Sequence, residues 1–269
     1  MKKLSRIKEK FNQTLSKGRS AFIPYICAGD PNLEASGRIL LELQARGVDI
    51  IELGIPFSDP IADGPTIQKA SLRSLKSGTT VKKIYRLLKD IENHIEVPIV
   101  VMTYYNPVLK YGVERFFDNF KSVGVDGIIV PDLPPDEAED FIKISEDYDI
   151  DSIFLLSPTS NYERIRRVSR ASRGYIYYVS VLGVTGARDT LSNTLGKKVK
   201  EIKKYTKLPI SVGFGISTPK QVSEVSKIAE GVIVGSAIIR VIESNLGKSA
   251  IEKKVGKYVS KLLNGFETF

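Results

Sequence analysis

The sequence predicts an α/β chain folded as a single (β/α)8 barrel of the TIM type, and three observations carry that prediction. Eight short runs rich in aliphatic, β-branched or aromatic residues recur along the chain, amphipathic stretches separate them, and glycine or proline marks most junctions. Strands alternating with helices imply parallel βαβ units, and eight units within about 220 residues suit a closed barrel better than an open sheet. No linker, low-complexity segment or shift of composition divides the 269 residues, so one domain spanning 1–269 is expected.

The elements follow in order. Leu4, Ile7, Phe11 and Leu15 recur at helical spacing, so the chain should begin with a short amphipathic helix and not a signal peptide, because no apolar core follows Lys2 and Lys3. The first run is "AFIPYIC" (21–27), and "LEASGRILLELQARG" after it reads as a helix closed by Gly47. The second run is "DIIELGI" (49–55), followed by an extra helix around 65–76 and then the amphipathic "VKKIYRLLKDIEN". The remaining runs are "PIVVMTY" (98–104), "GIIV" (127–130), "SIFLLS" (152–157), "YIYYVSV" (175–181), "PISVGFG" (209–215) and "GVIVGSA" (231–237). A last helix is expected around 247–264.

Composition narrows the function classes. Hydrophobic residues at 42% and charged residues at 26% are ordinary for a soluble globular chain, and no stretch approaches the ~20 apolar residues of a membrane span. With no targeting segment visible, a cytoplasmic or plastid-stroma setting is expected. The one cysteine, Cys27, excludes an internal disulfide, and the one histidine, His94, sits in a polar turn where a surface role outweighs metal ligation. No metal site is expected. A net charge of +9 suggests nucleic acid, but the lysine pairs are scattered along helical stretches without interleaved aromatics, which disfavours that partner.

In such a barrel the active site lies at the strand C-termini, which gives "IELGIPFSDPIADGP" (51–65) its weight. By strand alternation Ile51, Leu53 and Ile55 face the helices, while Ile50, Glu52 and Gly54 face inward. Glu52 should therefore point into the barrel mouth, with Gly54 leaving space above it. A buried Glu is ordinarily tied to a cation, yet no run contains Arg or Lys. Desolvation should then raise its pKa toward neutrality, the condition for a carboxyl that both gives and takes a proton. Three glycine clusters, "GVTGAR" (183–188), "GFGIS" (213–217) and "GSA" (235–237), end the last three runs. Their backbone N–H groups, with a helix starting at Gly235-Ser236, suit a phosphate cradle built from main chain and not from lysine. Tyr25, Met102, Tyr104, Ile129, Leu155, Tyr177 and Phe214 are the inward apolar or aromatic candidates. Together these features suggest a ligand with a flat apolar head and a phosphorylated tail.

The segment "IELGIPFSDPIADGPTIQKA" resembles the signature of the tryptophan synthase alpha subunit family. The resemblance continues in order through "FIPYICAGDP", "MTYYNPVLKYG", "GIIVPDLP", "LSPTS", "YVSVLGVTGAR", "VGFGIS" and "GSAII". It implies a lyase that cleaves indole-3-glycerol phosphate to indole and glyceraldehyde 3-phosphate in tryptophan biosynthesis, with no cofactor on this chain. It also implies that Glu52 is the acid–base residue at indole C3 and the glycerol hydroxyl, and that Asp63 hydrogen-bonds the indole N–H. The apolar wall would be Tyr25, Ile129, Tyr177 and Phe214, the phosphate contacts Gly186, Gly215, Gly235 and Ser236, and Thr185 the loop residue closing over Asp63. A pyridoxal-phosphate beta subunit is the implied partner in an α2β2 assembly, faced by Asp59, Pro60, Asn106, Asp132 and Pro134. Ser58-Asp59-Pro60 is also a good turn sequence on its own. Two alternatives remain: another phosphate-binding barrel such as indole-glycerol-phosphate synthase, which would want a strand-end lysine, and a non-catalytic homologue, which would not need Glu52 and Asp63.

Overall fold

Period-two alternation sorts the strand residues into two cores. The molecule, a computed structural model, describes residues 5–180, 188–213 and 215–266. Its strands are β1 (Ala21–Cys27), β2 (Ile51–Gly54), β3 (Ile99–Met102), β4 (Val125–Ile129), β5 (Asp151–Ile153), β6 (Leu155–Leu156), β7 (Ile176–Val179), β8 (Ile210–Gly213) and β9 (Gly231–Val234). All pairings are parallel, in the order β5-β4-β3-β2-β1-β9-β8-β7-β6. The two ends of that order, β5 and β6, come from the one run read as a single strand over 152–157. The run breaks at Phe154, with β5 pairing to β4 and β6 to β7. Two further bonds carry the ladder across the break: Arg173 N–H donates to the Ser152 carbonyl (2.8 Å) and Tyr177 N–H to that of Phe154 (3.1 Å). The sheet thus closes into the (β/α)8 TIM barrel, with one of its eight strands in two pieces.

Phe22, Ile26, Ile51, Leu53, Val101, Ile128, Tyr178 and Val212 face the helix layer, while Ala21, Ile23, Ile50, Val100, Ile129, Ile153, Tyr175, Tyr177 and Ile233 fill the barrel. The alternation expected of 50–55 holds.

The helix Arg6–Ser16 closes the N-terminal end of the barrel, and Ile7 and Phe11 enter the inner core. Its buried face is Ile7, Phe11 and Thr14, whereas Leu15 is 43% exposed. Residue 14 replaces 15 because the helix turns 100° per residue, which keeps 7, 11 and 14 on one stripe. Leu4 lies outside the described residues. Arg6 anchors the helix, donating to the buried Asp126 carboxylate (3.1 Å) and to the Glu96 carbonyl (2.5 Å). The extra helix after β2 is Pro65–Lys76, with Pro65 in its first turn where no N–H is needed. The last helix starts later than expected, at Ile251–Leu263, preceded by Gly247 at φ +72°. His94 is exposed, and its carbonyl accepts from Gln44. Among the described residues no helix is long and apolar enough to cross a membrane.

Candidate active site

A cavity of about 560 Å³ opens at the C-terminal end of the strands. Asp63, Gly64 and Thr66 form one side, Tyr25, Met102, Leu155, Tyr177 and Ile233 the floor, and Gly215, Gly235 and Ser236 the far wall. One wall is therefore acidic, the floor apolar and aromatic, and the far wall built on small residues that leave backbone open. No side chain among the described residues caps the helix Ser236–Glu243, whose first N–H groups have no intrahelical acceptor, and Gly235 and Ser236 at its start line the cavity.

Two strand-end glycines do a different task from the one expected. A Cβ at Gly54 would fall on the Tyr25 ring, and one at Gly213 on the Tyr177 ring. These glycines let the two tyrosines lie flat across the barrel mouth, so the space above Glu52 is filled by Tyr25. Gly215, at φ +78°, does line the cavity.

Glu52 is fully buried and is not among the cavity-lining residues. Its placement differs from the expected barrel mouth: its carboxyl turns inward, where Tyr175 Oη donates to Oε1 at 2.6 Å. Oε2 is buried with no hydrogen-bond partner among the described residues. With no cation on any strand, the carboxyl is held by a neutral donor, the Tyr175 hydroxyl. Burial pushes its pKa up to about 8, opposed by the Tyr175 hydrogen bond.

Asp63 is half-buried on the loop after β2 and lines the cavity directly. Its carboxylate accepts from Tyr104 Oη at 3.1 Å, and that hydroxyl accepts from Ala62 N–H at 3.0 Å. Desolvation raises its pKa to about 6, again opposed by the tyrosine bond. Pro60 O accepts from Asp63 N–H and the Gln68 amide donates to Asp63 O, which fixes the loop at both ends of the residue.

Tyr25 and Tyr177 line the cavity as expected; Ile129 does not. It pairs in register with Met102 and belongs to the inner core, and Pro131, the next residue on the same face, reaches the cavity in its place. Thr185, Gly186 and Phe214 lie outside the described residues. Asp59, Asn106 and Asp132 are exposed, while Pro60 and Pro134 are partly so. Hydrogen bonds stitch their loops together: Tyr105 N–H donates to Asp132 Oδ1 (2.9 Å), and Ala62 N–H to Tyr104. Ile61, beside Pro60, is 83% exposed. Among the described residues no group of His, Cys, Asp and Glu could hold a metal ion.

Sequence reasoning missed Tyr175 and the bond made by Tyr104. Tyr175 shares a strand face with Tyr177 by period two, a usable signal, but its pairing with Glu52 spans 123 residues. It also missed two cations on the cavity wall, Arg164 and Arg240. Arg240 stands one helical turn after Ser236, on the same face.

Comparison with known proteins agrees with this geometry. Residues 11–265 match the family model described as tryptophan synthase alpha chain. The tryptophan synthase alpha chain of Geotalea uraniireducens is 47% identical over 262 residues, covering 97% of this chain and 98% of that one. That of Prochlorococcus marinus is 44% identical, covering 97% and 94%. The crystal structure of tryptophan synthase subunit alpha from Legionella pneumophila superimposes with a TM-score of 0.92 at 33% identity, covering 99% of this chain and all of that one. A Mycobacterium tuberculosis tryptophan synthase structure gives a TM-score of 0.89 at 35% identity, covering 99% and 100%. From match, fold and site together, the chain belongs to the tryptophan synthase alpha chain family.

Proposed function

We propose that Glu52 and Asp63 divide the lyase reaction of the family, cleavage of indole-3-glycerol phosphate to indole and glyceraldehyde 3-phosphate, within one domain spanning 1–269. The observation that carries this reading is the pair of carboxyls in different environments. One is buried with a pKa raised to about 8, and the other is on the cavity wall with a pKa raised to about 6. At neutral pH the first holds a proton and the second is mostly ionised.

That difference suits the chemistry. Breaking the C–C bond leaves an electron pair that the indole ring accepts once C3 is protonated. The protonated Glu52 gives that proton, and as a carboxylate it then takes the proton of the glycerol hydroxyl as the C=O forms. Asp63 accepts the indole N–H hydrogen bond and stabilises the positive charge that C3 protonation places on the ring. To reach the substrate Glu52 must rotate away from Tyr175 toward the cavity, and its unpartnered Oε2 makes the buried position a poor resting place. Tyr25 and Tyr177 provide the flat apolar floor for the indole, and Gly215, Gly235 and Ser236 the N–H groups for the phosphate, with Gly186 and Phe214 completing these sets and Thr185 closing over Asp63.

The same reading assigns the stitched face of Asp59, Pro60, Asn106, Asp132 and Pro134 to the tryptophan synthase beta subunit, in an α2β2 assembly. Its support is the exposed Ile61 among loops already tied to Asp63 through Tyr104. Pyridoxal phosphate belongs to that partner, which receives the indole, and the setting is the cytoplasm, or the plastid stroma if the chain is organelle-encoded.

The test is indole release from indole-3-glycerol phosphate, with and without a beta subunit. Glu52→Gln and Asp63→Asn should each lower kcat by about 10²-fold or more while circular dichroism stays that of wild type. Wild-type turnover in Glu52→Gln would refute its acid–base assignment.

A further inference from the structure

The backbone cradle leaves a charge unaccounted for. A phosphate monoester at neutral pH carries between one and two negative charges, whereas a helix N-terminus offers the equivalent of roughly +0.5. Among the described residues lining the cavity the cations are Arg164 and Arg240 and the one carboxylate is Asp63. Arg164 follows β6 and Arg240 follows β9, so the two arginines flank the arc of β7 and β8 that carries Gly215. Asp63, after β2, lies outside that arc.

Neither arginine is committed elsewhere in the way the other buried-side cations are. Arg19, Arg73 and Arg173 each pair with a buried carboxylate, of Asp49, Asp30 and Asp151 respectively. Arg240 makes no ion pair within 4.0 Å among the described residues. It lies close enough to Tyr258 to act on it electrostatically, and Tyr258 Oη in turn donates to the Ser217 carbonyl (2.7 Å), two residues past Gly215. Arg164 stands 3.9 Å from Asp136, beyond hydrogen-bonding distance, while Arg167 holds that carboxylate at 2.9 Å. Asn161 caps the helix that presents Arg164, accepting from its N–H at 2.9 Å, which fixes the backbone from which the side chain lines the cavity.

We infer that Arg164 and Arg240 supply the cationic half of phosphate recognition, reaching over the cleft from opposite sides to complete the backbone cradle. This rests on the substrate assignment above. A guanidinium on a phosphate forms paired, charge-assisted hydrogen bonds that a lone N–H dipole does not match. Both side chains are partly or largely exposed, so they also attract the anion from solution, an effect that salt screens. The phosphate does not react, so holding it contributes to ground state and transition state alike, and the effect should fall on KM more than on kcat.

The experiment measures kcat and KM for indole-3-glycerol phosphate at low and high salt, in the complex with a beta subunit, for wild type, Arg164→Gln, Arg240→Gln and the double variant. Inhibition by inorganic phosphate and binding of unphosphorylated indole are measured alongside. Each single variant should raise KM by about three- to tenfold, and the double variant should flatten the rise of KM with salt. Inorganic phosphate should inhibit the variants less, indole should bind as in wild type, and Arg240→Lys should recover part of the loss. If wild type turns over and phosphate inhibits it, but KM and its salt dependence are the same in the double variant, the inference is wrong and the substrate assignment stands. A kcat loss with KM unmoved also overturns it. A wild type that neither releases indole nor responds to phosphate overturns both.

Discussion

Tyr175 Oη donates to Glu52 Oε1 at 2.6 Å inside the barrel, 123 positions away in the chain, and Phe11 of the N-terminal helix packs on the same tyrosine with ring centroids 5.7 Å apart. The catalytic carboxyl proposed here therefore rests on a residue that is itself held by the plug at the opposite end of the barrel. Removing the hydroxyl in Tyr175→Phe leaves both carboxyl oxygens without a donor. We expect a loss of about 1–3 kcal/mol in urea unfolding. The limb of the pH–kcat profile belonging to Glu52 should move to higher pH, because the hydrogen bond stabilises the charged form. An unmoved limb would break the link between this bond and Glu52.

Glu52 also makes stability depend on pH in a particular direction. Its pKa is about 8 in the folded chain against 4.5 ordinarily, so the folded state binds the proton more tightly. The stability it contributes is full below the ordinary value and is lost as pH rises through about 8. Glu52→Gln stays neutral throughout. It should match wild type near pH 4.5 and exceed it at alkaline pH by up to about 5 kcal/mol, read from urea midpoints across that range. Parallel curves for the two proteins would show that the buried carboxyl does not titrate in this window.

Tyr104 serves Asp63 as Tyr175 serves Glu52, but at the surface of the cavity. Tyr104→Phe removes the donor to Asp63 and the acceptor for Ala62 N–H in one step. The acid limb of kcat/KM, set by Asp63 near 6, should shift up by about half to one pH unit, and KM should rise as the loop loosens. Retention of both parameters would mean that the loop prolines alone hold Asp63 in place.

The floor of the cavity depends on a missing side chain. Gly213→Ala would drive the new Cβ into the Tyr177 ring and push that ring into the space assigned to indole. A KM increase of about tenfold, with indole affinity falling in parallel, is the expected result, since overpacking of this kind costs about 1–3 kcal/mol. Equal indole affinity would show that the ring has another place to go.

Phe11→Ala tests the plug. A fully buried phenylalanine typically costs about 3–5 kcal/mol on truncation, visible as a lower urea midpoint. A change below about 1 kcal/mol would mean that the inner core closes without it.

Much of this was legible along the chain, because alternation and periodicity are local properties. Strand repeats of period two placed Glu52 inward and Leu53 outward, and the missing cation on every strand foretold a raised pKa. Glycine and proline marked the strand ends, and the "IELGIPFSDPIADGP" segment carried the family resemblance. The partners of these residues were not legible. Tyr175 meets Glu52 and Tyr104 meets Asp63 only once the barrel has closed, across separations of 123 and 41 residues. Closure also decided which way the Glu52 carboxyl faces, turned Gly54 and Gly213 into seats for tyrosine rings, and brought Arg164 and Arg240 to one rim. A side chain's inward or outward sense follows from its own strand; its hydrogen-bond donor, its desolvation and its counter-charge are set by what other strands bring to the same spot.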